Sequence, residues 1–294
     1  MKIGIELTAP WLPLWAWAAV PLGLDPAPAH PEDPPPEAER LFRASNRAFA
    51  GDPRAFPGQR ALDATADLLV AKRLFRALGL ATPPFGRVRN AGELEALGLV
   101  HGWPALLRAP DGRVVRRIEG PGEAPAELEG RYVYERALDY EAEVLVLAAF
   151  QDGRLEVWPA AERVEGGWVA PYDAPKTLPE ALERLFLALG HEGVLELRAG
   201  VFEGRWFFWD FVPYPTARSW LFPLVVEAHV RAAFGWPIPH ARGRGHVALV
   251  EAKSEAAARA HPDFRPFFLE RPYVRLGAPD RAALTALVER AREG

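Results

Sequence analysis

Between Leu178 and Phe234 the spacing of apolar residues changes twice. LPEALERLFLALG (Leu178–Gly190) repeats them at three- and four-residue intervals, which predicts an amphipathic helix with Pro179 near its start and Gly190 stopping it. GVLELRAGVFEGRWFFWDFVP (Gly193–Pro213) is dense in Val, Leu, Phe and Trp and predicts two strands joined by a short turn at Glu203-Gly204. FPLVVEAHVRAAF (Phe222–Phe234) returns to helical spacing and is ended by Gly235 and Pro237.

Before this helix–hairpin–helix, Lys2–Leu7 predicts a first strand, and Pro10–Leu24 carries no charge. That run is too short to span a bilayer and is interrupted by Pro13 and Pro21, so we expect a buried N-terminal layer rich in Trp. A signal peptide is the rival, which Glu6 and the prolines suit poorly. Asp25–Pro36 is expected to be an irregular proline-rich connection. Glu37–Ala50 predicts a short helix with Leu41, Phe42 and Phe49 as its apolar residues, and Ala61–Leu78 a stronger one closed by Gly79. A loop-to-strand segment, Leu80–Arg87, follows.

The next stretch predicts a small α/β region: a helix at Ala91–Leu97, then strands at Pro104–Arg108 and Arg113–Ile118 around the Asp111-Gly112 turn. Further strands are expected at Tyr132–Arg136 and Ala142–Phe150, with Asp152-Gly153 turning into Leu155–Pro159. The tail predicts a strand from Val247, a helix at Ser254–Ala260, an aromatic segment around Phe264–Phe268 and a last helix at Pro279–Arg292.

At 294 residues the chain can bury a substantial core in two or three domains, and 49% hydrophobic with 25% charged residues is ordinary for a soluble protein. The absence of cysteine excludes disulfides, thiolate metal sites and thiol nucleophiles. A net charge of −4 offers no basic patch for nucleic acid, and with no bilayer-length run a cytoplasmic protein is expected. One Met, few Asn and Gln, Arg far above Lys and 30 prolines fit a thermophile. The histidines have no metal-ligand spacing, and no G-x-S-x-G, H-E-x-x-H or P-loop pattern occurs.

Six segments then carry a family resemblance: DLLVAKRLF (Asp67–Phe75), LGLATPPF (Leu78–Phe85), GWPALLR (Gly102–Arg108), Tyr134-Glu135 through Tyr140 to Glu143-Val144, ERVE (Glu162–Glu165) and VEAHVRAAFGWP (Val226–Pro237). In this order they resemble the ATPase subunit of phosphoribosylaminoimidazole carboxylase, that is, carboxyaminoimidazole ribonucleotide synthetase, an ATP-grasp enzyme of purine biosynthesis. The chain is less similar to it at both ends. The resemblance implies an α/β (α+β) ATP-grasp fold with a reduced N-terminal domain (1–68), a small subdomain (69–130), a large subdomain (131–245) and a truncated C-terminal region (246–294). It also implies ATP and magnesium as cofactors, and a homodimer; a protein partner is a further possibility.

In that family ATP phosphorylates bicarbonate, and the carboxyphosphate carboxylates the amine of aminoimidazole ribonucleotide. Magnesium bridges the phosphates and wants carboxylate oxygens, which the family places as one glutamate on each hairpin strand. At the matching positions, twelve apart, this chain has Arg198 and Asp210. Arginine offers no lone pair, so we expect Arg198 to pair with Asp210. Glu196 shares a strand face with Arg198 and is the substitute metal ligand beside Asp210, if the arginine swings away.

Other family features are replaced. Ile5 leads into Glu6-Leu-Thr-Ala-Pro10 rather than a glycine-rich turn, Arg108 stands for the strand-end lysine, and Ala109–Gly112 stands for the flap. Tyr214–Trp220 replaces a polar cluster, with Arg218 left to meet an anion. The resemblance implies nucleotide contacts at Lys72, Arg108, the hinge residues Glu135, Arg136 and Leu138, and Glu143, and substrate or anion contacts at Arg231, Arg242 and Arg244. Read from the residues alone, Lys72 is a solvated helix residue, Glu135 a surface strand residue and His229 a packed helix histidine, with Glu143 open between ribose contact and surface position. The expectation is a catalytically impaired ATP-grasp protein that keeps a nucleotide or anion site or an interaction role. The alternatives are a working synthetase with metal on Glu196 and Asp210, and a binding protein with no nucleotide site.

Overall fold

Prolines can sit in a parallel sheet only where no ladder donor is needed, and the N-terminal sheet shows how. The computed structural model describes residues 1–6, 12–43, 45, 48–125, 128, 130–241, 245–252 and 273–293. β1 (Lys2–Glu6) is followed by α1 (Leu12–Ala19), a 3-10 turn stopped by the left-handed Gly23, and β2 (Asp25–Ala29). β2 forms the edge of a four-stranded parallel sheet, contrary to the irregular connection expected there. Asp25 donates its N–H to the Met1 carbonyl, so the inward donors recur at alternate residues, and Pro26 and Pro28 fall on the positions that face away.

β3 (Arg40–Phe42) and β4 (Ala55–Phe56) complete this sheet in the order β2-β1-β3-β4. The described residues of Glu37–Ala50 do not form the helix expected there. Leu41 and Phe42 are adjacent and both fully buried, a pattern that fits a strand covered on both faces. The buried Arg43 then fixes the loop, its Nε donating to Pro57 O (2.9 Å) and its Nη1 to Ala48 O (3.0 Å) and Gln59 Oε1 (2.9 Å).

The single helix expected at Ala61–Leu78 is two, α2 (Gln59–Ala66) and α3 (Leu68–Ala77). Asp67 breaks them with extended backbone and caps α3 by accepting the Leu69 N–H at 2.9 Å, while the Leu68 N–H goes to Pro110 O at 2.8 Å. β5 (Phe85–Val88), α4 (Ala91–His101), β6 (Ala105–Arg108), β7 (Val114–Ile118) and β8 (Tyr132–Arg136) follow. The four strands form an antiparallel sheet in the order β5-β8-β6-β7, with Val88, Leu94, Leu107, Ile118 and Tyr134 in its core.

The remaining elements are β9 (Ala142–Gln151), β10 (Arg154–Val157), β11 (Ala160–Val164), β12 (Gly167–Tyr172), α5 (Leu178–Leu189), β13 (Gly193–Phe202), β14 (Arg205–Val212), α6 (Leu224–Ala233), β15 (His246–Glu251), β16 (Tyr273–Ala278) and α7 (Arg281–Glu293). Their strands run β14-β13-β9-β11-β12-β15-β16, with β10 paired to β9. The turns at Asp152-Gly153 and Glu203-Gly204 both have two residues at positive φ, the geometry that matches strand twist in a tight hairpin. The hairpin β11–β12 and the strand β16 have no counterpart in the sequence reading. The helix expected at Ser254–Ala260 and the aromatic segment near Phe264 lie outside the described residues.

By its contacts the chain divides into two units. The first comprises residues 1–62, 144–197 and 212–294, and the second 63–143 and 198–211. The first has an aromatic and aliphatic core that includes Ile3, Trp15, Phe42, Leu145, Val194 and Val226. No helix among the described residues is long and apolar enough to cross a membrane.

Candidate active site

In the second unit, α3 turns Leu68, Ala71, Lys72 and Phe75 inward, an apolar stripe at helical spacing with one lysine in it. Lys72 is therefore fully buried rather than solvated. Its Nζ reaches Thr82 Oγ1 at 3.1 Å and forms an ion pair with Glu135. Burial pushes the Lys72 pKa down, while Glu135 and, more weakly, Asp210 pull it up.

Glu135 is buried too, because β8 is an inner strand of its sheet; the surface position expected for it is wrong. Arg108, at the end of β6, grips the same carboxylate through Nε (2.9 Å) and Nη2 (2.7 Å), and its Nη1 donates to Gly112 O at 2.8 Å. Lys72, Glu135 and Arg108 thus form one knot of charge in which each cation is matched to the carboxylate.

The hinge is also used internally. The Arg136 N–H donates to Pro84 O (2.8 Å) and the Ala137 N–H to Pro104 O (2.9 Å). Leu138 and Glu143 are half-buried. Tyr140 packs on Gly200, where a Cβ would come within 2.2 Å of its ring, and lies 5.0 Å from the Trp209 ring; burial pushes its phenol pKa up.

On β13 and β14 of the same unit, Arg198 and Asp210 form the ion pair expected from the sequence, with both side chains about one-third exposed. In the first unit, Glu196 is buried and surrounded by donors. Its Oε2 accepts the hydroxyls of Thr216 (2.6 Å) and Ser219 (3.3 Å), and its Oε1 accepts Arg218 Nε (2.5 Å). Thr216 and Ser219 cap the 3-10 helix Ala217–Leu221 reciprocally, so the Tyr214–Trp220 segment is built to hold Glu196. Neither residue was singled out by the sequence; only the turn geometry brings them to the carboxylate.

His229 is packed, as expected, against Trp15, Phe42 and Phe56, and its Nδ1 accepts the Val194 N–H at 3.4 Å. Burial holds its pKa well below the usual histidine range. Arg231 is engaged one turn back along α6, with Nε 2.6 Å from Glu227. Arg242 and Arg244 lie outside the described residues. Among the described residues no group of three or more acidic or histidine side chains is placed to hold a metal ion.

No family model matches the sequence, and no curated protein matches it. The structure, in contrast, matches solved structures along its whole length. The N5-carboxyaminoimidazole ribonucleotide synthetase from Thermus thermophilus superposes with a TM-score of 0.84 at 22% identity, over 100% of this chain and 99% of that one. The Staphylococcus aureus N5-carboxyaminoimidazole synthetase complexed with ADP gives 0.86 at 13% identity, over 100% and 97%. The Aspergillus clavatus enzyme in complex with ADP and the aminoimidazole ribonucleotide gives 0.83 at 14% identity, over 99% and 97%. The chain has the ATP-grasp fold of these synthetases.

Within the ATP-grasp fold, the side chains present do not fit magnesium. Asp210 is paired with a guanidinium, and Glu196 has accepted three donors from its own unit. Each carboxylate is engaged within its own unit, so a hard dication would have to displace a guanidinium from Asp210, or the Thr216, Ser219 and Arg218 donors from Glu196. The Glu135 carboxylate and the N–H groups of Arg136 and Ala137 likewise have partners within the chain.

Proposed function

We propose that this chain is an ATP-grasp protein of the carboxyaminoimidazole ribonucleotide synthetase type that is impaired in magnesium-dependent phosphoryl transfer. Phosphoryl transfer in such a site is mostly positioning plus neutralisation of phosphate charge by metal. The observation that carries the reading is the Arg198–Asp210 ion pair at the hairpin positions where the family keeps two glutamates. A guanidinium supplies one positive charge in a fixed direction. It cannot bridge β- and γ-phosphate oxygens as an octahedral ion does.

A nucleotide, in this reading, is retained as a ligand rather than turned over. In it Arg108 turns from Glu135 and Gly112 O to the phosphates, and the base meets the hinge at Leu138, past the Arg136 and Ala137 amides already bonded within the chain. The ADP bound in solved synthetases of this fold supports nucleotide binding. Calorimetry with ATP, with and without magnesium, together with phosphate release in the presence of bicarbonate and aminoimidazole ribonucleotide, tests it. Affinity that ignores magnesium and no substrate-stimulated phosphate release are expected. Magnesium-dependent turnover of roughly 1–1000 per second would instead establish a working synthetase using Glu196 and Asp210. No ATP affinity at all would make it a binding protein without a nucleotide site.

A further inference from the structure

The first unit has a cavity of about 730 Å³ bounded by β4 and the C-terminal ends of α5 and α6. That volume lies in the range of roughly 300–1000 Å³ usual for small-molecule sites. None of its wall residues belongs to the positions assigned to nucleotide or metal, so it stands apart from the site described above.

Its wall is aromatic and carries a cation. Phe56, Phe186 and His191 lie together, with the His191 ring stacked on Phe186 at 5.9 Å and 6.0 Å from Phe56. Phe234 is a further wall residue, stacked on Trp236 at 4.9 Å. Arg40 crosses the end of α6, its Nε donating to Ala233 O at 2.5 Å and its guanidinium carbon 6.0 Å from the Phe234 ring centre. Among the described residues that is its single hydrogen bond, so both Nη groups are available to a ligand. Arg54, on the same wall, is different: Asp52 grips it and three carbonyls accept its Nη1. Glu192 is the one acid among the wall residues, and it accepts the Asp152 N–H at 3.2 Å.

A two-pronged guanidinium beside flat apolar rings matches one chemistry. We propose that this cavity binds a small aromatic oxyanion, a ring bearing a carboxylate or a phosphate, with Arg40 forked onto the anion and the ring against the half-buried Phe56 and Phe234, the buried Phe186 backing the wall. The guanidinium held over Phe234 is pre-placed, so little side-chain freedom is lost on binding.

Calorimetric titration of the full chain with benzoate, phenyl phosphate, inorganic phosphate and benzyl alcohol tests the proposal. Saturable binding of benzoate or phenyl phosphate at millimolar concentration or below is expected, with inorganic phosphate and benzyl alcohol at least about tenfold weaker. Which aromatic anion wins identifies carboxylate or phosphate. R40Q should weaken binding at least about tenfold while ATP affinity stays as in the parent, so the two sites fail separately. Leu187, on the rim and 61% exposed, gives a variant that cannot disturb the core, and L187E should weaken the aromatic anion several-fold by repulsion. Absence of saturable binding, inorganic phosphate binding as well as phenyl phosphate, or affinity unchanged in both R40Q and L187E would each overturn the proposal.

Discussion

Replacing Glu135 with glutamine removes one charge from the most deeply buried ionic contact of the second unit. It leaves Lys72, whose side chain has no exposed surface, without a counter-charge and with only neutral acceptors, Thr82 and the new amide oxygen, and Arg108 with neutral acceptors as well. Breaking one partner out of a buried pair costs about 3–5 kcal/mol because the other charge stays desolvated. The Arg108 contribution is discounted, since that side chain is 19% exposed and partly screened by water. We therefore expect E135Q to lose about 3–4 kcal/mol, most of it through Lys72. Urea unfolding of the parent, E135Q, K72M and the double variant measures this, and the double variant should be more stable than the sum of the single losses by about 2 kcal/mol. An E135Q midpoint indistinguishable from the parent, with no coupling to K72M, would mean that Lys72 is solvated and that this account of the knot is wrong.

Three further outcomes are expected. R198E should restore a pair of carboxylates on the hairpin and make the melting temperature rise with magnesium, by a few degrees at ten times the dissociation constant (about 1.4 kcal/mol); the parent should show no magnesium shift. His191 is neutral and buried, its pKa pushed down from 6.5 to about 4, so the stability it confers is full above pH 6.5 and is lost as pH falls toward 4. The loss is about 3 kcal/mol for this group, with His229 adding in the same direction, and H191F should flatten the pH dependence of the urea midpoint. G98A should destabilise α4 by about 1–3 kcal/mol although alanine is the better helix former by about 1 kcal/mol, because the new Cβ would lie 1.9 Å from the Trp103 ring; thermal unfolding decides the sign.

The elements that the sequence announced are those with local causes. α5 shows its period and its glycine stop, and the hairpins at Asp152-Gly153 and Glu203-Gly204 show the glycine that takes positive φ without cost. Elements decided by distant partners stayed hidden. β2 is a strand because β1 needs only its alternate donors, and α3 begins at Leu68 because Asp67 caps it and Pro110 takes the Leu68 amide. The site divides in the same way. The Arg198–Asp210 pair was legible through the family resemblance, which sets a glutamate at each of these hairpin positions where arginine can only pair with the remaining acid. Lys72 was misread because its charge outweighed its position in the stripe with Leu68, Ala71 and Phe75, and Thr216 and Ser219 reach Glu196 only through a 3-10 turn.

The central claim is that Asp210 serves a guanidinium rather than a metal. A calorimetric titration of ATP into the full chain at saturating and at chelated magnesium tests it most directly. Equal affinity in the two conditions is the predicted result, with R198E gaining a magnesium dependence that the parent lacks. Tight binding by the parent only when magnesium is present would contradict it.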